Sequence, residues 1–127
     1  AALLGDGRLA MALVDAVPAG IYGKAALQDL GLWEGVSARV VQVDNVRAAL
    51  ALVALGEAEL GVVYATDALA APAVGVVGAF PTGSHPPVVY PVARVSERTA
   101  ADEFIVYLQG SEARSALERW GFSVLVD

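Results

Sequence analysis

Three times along this chain a short apolar run gives way to a polar loop and then to a helical pattern, and that repeated order restricts the fold more than any single residue. Arg8 to Val14 (RLAMALV), Ala38 to Val43 (ARVVQV) and Leu60 to Tyr64 (LGVVY) read as strands, the last wholly apolar in the manner of a strand covered on both faces. After the first, a helix is expected from Gly20 to Leu30, opening just behind Pro18 and stopped by Gly31. After the second, Asp44 or Asn45 is placed to cap a helix over 46–55 that ends at Gly56. After the third, Ala65-Thr66-Asp67 opens a short helical turn. Leu32 to Val36 reads as one more turn of helix, with Trp33 tucked against the body as a packing residue.

Further along, 73–80 reads as a strand, Pro81 to Pro87 as a turn-rich loop, and 88–95 as a second extended run in which Pro91 marks an edge, bend or crossing. Helices are expected over Thr99 to Leu108 and from a Ser111 cap to about Trp120, followed by an extended tail over 121–126. The order predicts an α/β fold with a mostly parallel sheet flanked by helices.

Composition closes off several functions. A chain of 127 residues with 57% hydrophobic and 17% charged residues has enough apolar material for one well-packed domain. Its apolar runs break well short of the roughly 20 residues that cross a bilayer. The net charge of −6 comes without any Lys/Arg cluster, which argues against a nucleic-acid partner. There is no cysteine, so neither disulfides nor thiolate metal sites arise. Ala1 to Gly5 does not read as a secretory leader, which leaves a cytoplasmic chain or one that begins downstream of its true start.

Catalysis finds no constellation to stand on. The single histidine, His85, has Ser84 beside it on a Pro-rich loop, an arrangement that suits fixing a loop better than a triad. The carboxylates are scattered without calcium-loop or His-containing spacing, so no residue is assigned to a metal and no cofactor is expected. The glycines form neither a phosphate loop nor a dinucleotide fingerprint. The charges of the last two helices read as a solvated face.

What remains is anion capture by neutral donors. The first amides of a helix have no intrahelical partner and sit at the positive end of its dipole. The Ala19 amide behind Val17-Pro18 and the Val46 amide behind Asp44-Asn45 are such donors, and Tyr64 adds a hydroxyl where the third strand ends. In a parallel α/β sheet all three positions fall at the carboxyl ends of strands, where such folds bind ligands.

The segments VPAGIYGKAALQDLGLWEGV (17–36), DNVRAALALVALGEAELGVVYATDA (44–68), FPTGSHPPVVYPVA (80–93) and FIVYLQGSEARSALERWGF (104–122) resemble the periplasmic molybdate-binding proteins of ABC-type importers, a group II periplasmic binding family. The resemblance implies a two-lobed receptor that holds a tetrahedral oxyanion, molybdate or tungstate, through backbone amides and hydroxyls, with molybdenum entering only as the oxyanion. Carried onto this chain, the ligand-binding positions are Ala19, Val46 and Tyr64. Where the family leads into Val-Pro-Ala-Gly with an Asp-Pro-Glu-His type stretch, this chain has Leu13-Val14-Asp15-Ala16.

Members of that family are about twice as long. The resemblance therefore implies that residues 1–88 form most of the second ligand-binding lobe and 89–127 a crossing strand and the C-terminal helices that pack on a first lobe largely absent here. It further implies a periplasmic or extracytoplasmic location, a membrane permease as partner, weak or no binding by this stretch alone, and self-association through surfaces that the other lobe would cover. An oxyanion-sensing domain of a transcription regulator uses the same fold and is the alternative; a deaminase or transferase on a similar two-lobed fold lacks its catalytic residues here.

Overall fold

The computed structural model describes residues 2–125. β1 (Leu9–Ala12) is the middle strand of a three-stranded parallel sheet of order β2-β1-β3, flanked by β2 (Val40–Val43) and β3 (Leu60–Gly61). Leu9 lies opposite both Val40 and Leu60, and Ala10 opposite Val41 and Gly61. With neighbours on both edges and helices on both faces, all four β1 residues are buried.

The alternation of the strand sorts these side chains into two cores. Leu9 and Met11 lie on the side where α1 (Pro18–Asp29) contributes Leu27 and α2 (Trp33–Val36) contributes Val36. Trp33 packs against this cluster, and Phe80 reaches it from the loop region downstream. Ala10 lies on the other side, with Ala49 of α3 (Val46–Ala54) and Ala58. The second core is built of alanines, so α3 can approach the sheet closely.

Helix ends follow the local signals. Leu30 ends α1, Gly31 takes φ +66°, its amide donates to Gln28 O and the Leu32 amide donates to Leu27 O, the paired bonds of a Schellman stop. The same pair recurs behind α3, from Gly56 to Val53 O and from Glu57 to Leu52 O.

Several expected boundaries move. α1 begins at Pro18, two residues before the expected Gly20, with proline at the first helical position. Ala38 and Arg39 belong to a tight helical turn, so β2 starts only at Val40. β3 is a two-residue ladder; the Val62 amide still donates to Ala10 O at 3.0 Å, and then the chain leaves for α4 (Ala65–Leu69). The runs 73–80 and 88–95 are not strands: no ladder forms along either, and most of their residues are exposed. Pro and β-branched residues favour extended backbone, but a strand also needs a neighbour to bond.

Two compact units divide at Pro87 and Val88, the first holding the sheet. In the second, α5 (Thr99–Leu108) and α6 (Ser111–Arg119) follow one another, with Gly110 and not Ser111 at the N-cap of α6. Arg94 Nη1 reaches both oxygens of Asp102 at 3.1 and 3.0 Å, tying the 88–95 run to α5, and the Tyr90 and Phe122 rings meet edge-on at 5.8 Å. Of the expected tail, Gly121 belongs to the turn behind α6 at φ +82°, 122–125 form neither helix nor strand, and Val126 lies outside the described residues. Among the described residues no helix is long and apolar enough to cross a membrane.

Candidate functional site

The candidate positions gather at the carboxyl edge of the sheet. Because β2, β1 and β3 are adjacent and parallel, the loops that follow them emerge at the same edge. Ala19 follows β1, Val46 follows β2 and Tyr64 follows β3, so the three sequence-predicted positions share that edge on neighbouring strands.

The first junction is tightly built. The Leu13 amide extends the ladder to Val43 O at 2.9 Å, the Val17 amide donates back to Leu13 O at 2.9 Å, and the Val14 amide donates to Gln42 Oε1 at 2.9 Å. Pro18 then opens α1. The first amide to bond inside the helix is that of Ile21, to Val17 O at 2.9 Å, which places the Ala19 and Gly20 amides in the orphan turn. Both residues are buried. Gly20 is pressed against the end of β1: a Cβ there would lie 2.4 Å from the carbonyl oxygens of both Ala12 and Leu13.

At the second junction Asn45 is the cap. Its side-chain oxygen accepts from the Ala48 amide at 2.9 Å, and its carbonyl accepts from the Ala49 amide at 3.2 Å. The amides of Val46 and Arg47 precede those bonds and have the α3 dipole behind them. At the third, Tyr64 is half-buried with extended backbone, and its carbonyl accepts from the Asp67 and Ala68 amides at 3.0 and 3.2 Å. The phenol is thereby mounted on a closed turn.

The charges nearby are engaged with each other. Lys24 Nζ pairs with Asp15 Oδ1 at 2.6 Å and lies 5.4 Å from the centre of the Trp33 ring. Arg47 Nε pairs with Asp67 Oδ1 at 2.9 Å, joining the first turn of α3 to that of α4. Periodicity gave no hint of this contact, since its members are twenty residues apart; Asp67 reads locally as nothing more than a polar start to a helical turn.

On the loop between Pro81 and Pro87, Ser84 Oγ donates to Pro81 O at 2.8 Å and His85 Nδ1–H donates to Pro86 O at 2.8 Å, while the imidazole lies 6.1 Å from the Tyr22 ring. Both side chains hold their own loop. Among the described residues no three His, Asp or Glu side chains gather as a metal site. At the opposite edge of the sheet, exposed Glu59 accepts from the Arg8 amide, and that bond holds its carboxyl below the ordinary glutamate value.

Comparison with known proteins gives a consistent picture. The profile of the bacterial extracellular solute-binding protein family matches residues 1–123. Over 124 residues the chain is 47% identical to the molybdate-binding protein ModA of Escherichia coli (strain K12), covering 96% of this chain and 48% of that protein. It is 46% identical over 109 residues to ModA of Haemophilus influenzae, covering 84% and 43%. The putative ABC transporter substrate-binding lipoprotein YvgL of Bacillus subtilis is 40% identical over 119 residues, covering 91% and 46%.

Among solved structures, the Azotobacter vinelandii periplasmic molybdate-binding protein superposes with a TM-score of 0.75 at 25% identity, covering 94% of this chain and 55% of that one. The substrate-binding domain of a putative molybdenum ABC transporter from Clostridium difficile does so with a TM-score of 0.77 at 28% identity, covering 94% and 53%. The chain thus spans about half the length of the relatives it matches.

Proposed function

The chain belongs to the bacterial extracellular solute-binding protein family, and from that premise we propose that it forms part of the receptor of an ABC importer for molybdate or tungstate. Residues 1–88 supply one jaw of the site and 89–127 the segment that packs on the other lobe. The oxyanion is held by the Ala19 and Val46 amides and the Tyr64 hydroxyl. The observation that carries this reading is the placement of all three at one edge of adjacent parallel strands, two of them in the orphan turns of helices. The ModA relatives, molybdate-binding by name, support the choice of ligand. The same relationship supports an extracytoplasmic location, a membrane permease as partner and a binding role in place of an enzymatic one.

Neutral donors suit such an anion because dipoles fixed by the backbone stabilise charge without a basic side chain. Each hydrogen bond to a charged group contributes roughly 1.5–3 kcal/mol, so three give roughly 5–9 kcal/mol. Association itself costs roughly 4–15 kcal/mol, so one jaw is a weak binder.

Calorimetric titration of the complete gene product with molybdate, tungstate and sulfate tests the reading. Micromolar or tighter binding of molybdate or tungstate is expected, Tyr64→Phe is expected to weaken it by about ten- to a hundredfold, and this chain alone is expected to give weak heats or none. Absence of heat with all three anions in the complete product overturns the proposal; micromolar binding by this chain alone overturns the one-jaw account.

A further inference from the structure

Asp67 is the only charged side chain among the described residues that is buried, at 6% exposure, and its Oδ2 is buried without a hydrogen-bond partner. Its other oxygen takes Arg47 Nε at 2.9 Å, while Arg47 itself is largely exposed. Burying the carboxylate of such a pair is a poor way to gain stability, because its desolvation cancels much of the attraction to a partner that stays largely in water. What such a pair does supply is a fixed distance between the elements that carry it.

Those elements carry two of the proposed donors. Arg47 is the residue after Val46, in a first turn closed by the Asn45 cap. Asp67 lies in the turn whose amides bond back to Tyr64 O at 3.0 and 3.2 Å. An ion pair between the two turns therefore fixes the Val46 amide relative to the base of the Tyr64 side chain.

Resting on the oxyanion reading above, we propose that the Arg47–Asp67 pair is a positioning device that sets the spacing of the Val46 and Tyr64 donors and so the size of tetrahedral anion the jaw accepts. Neither side chain is required to touch the anion. Sulfate, with shorter bonds than molybdate, is the probe that reads the spacing.

The test compares Arg47→Met and the double variant Arg47→Met/Asp67→Asn with the wild type in the complete gene product, by calorimetry with molybdate and with sulfate and by thermal unfolding without ligand. Arg47→Met is expected to weaken molybdate binding by about tenfold or more and to shrink the molybdate-to-sulfate affinity ratio. The double variant, which no longer buries an unpaired charge, is expected to regain the wild-type unfolding temperature but neither the affinity nor the ratio. A double variant with wild-type affinity and ratio overturns the proposal, as does an Arg47→Met protein that melts earlier yet keeps the ratio. If wild type binds neither anion, the oxyanion reading falls and takes this inference with it; if wild type binds and the variants match it, only the inference falls.

Discussion

Gly20 shows how one residue without a side chain fixes where a helix starts. Its missing Cβ lets α1 begin directly on the carbonyls of Ala12 and Leu13, where any Cβ would lie 2.4 Å from two backbone oxygens. Backbone cannot step aside, so Gly20→Ala is expected to cost about 2 kcal/mol or more in urea unfolding. Gly23→Ala is the control: there a Cβ would meet the side-chain ends of Val62 and Met11, at 2.7 and 2.8 Å, and the cost is expected to be smaller. Glu59, at the far edge, predicts a pH effect. Because the Arg8 amide lowers its folded-state pKa, its contribution is complete above the ordinary carboxylate range and is lost as pH falls through the lowered value. The difference in urea midpoint between wild type and Glu59→Gln is therefore expected to be largest near neutrality and to close in acid.

At the scale of elements, α3 depends on its cap. Asn45 satisfies the Ala48 amide, and Asn45→Ala is expected to lower stability by about 1 kcal/mol in thermal unfolding, with Asn45→Asp retaining most of it. The loss belongs to the helix start that presents the Val46 amide, so affinity in the complete gene product is expected to fall with it. The strands are weaker individuals than the helices. β3 keeps two ladder residues, and 73–80 and 88–95 keep none, although their composition favours extension. A side-chain preference for extended backbone does not bring pairing with it, because pairing requires a partner.

The whole molecule presents an unusual amount of apolar surface in its second unit. α5 buries no residue, and Phe104, Val106 and Tyr107 stand exposed along it, with Val89, Val92 and Val95 exposed upstream. For a chain that spans about half the length of its relatives, such a surface is an adhesive one. Self-association of this chain is expected, seen as a light-scattering mass that rises with concentration; a monomer mass at high concentration would refute it.

Whatever depends on neighbours in the chain is legible before any packing. The three strand-to-helix transitions, a proline where α1 opens, a cap at Asp44 or Asn45, the Gly31 and Gly56 stops and hence the Ala19 and Val46 amides are all local, because caps, dihedral preferences and periodicity act over a few residues; the structure chose Asn45. The motif segments resemble an oxyanion-binding family, and the roles proposed for those amides and Tyr64 rest on that resemblance. Which apolar runs found partners, how closely Gly20 seats α1 on β1, and the meeting of Arg47 with Asp67 depend instead on packing. Hydrogen-bond pairing, close packing and the burial of charge are properties of residues brought together from distant positions, and no window of sequence contains both members of such a pair.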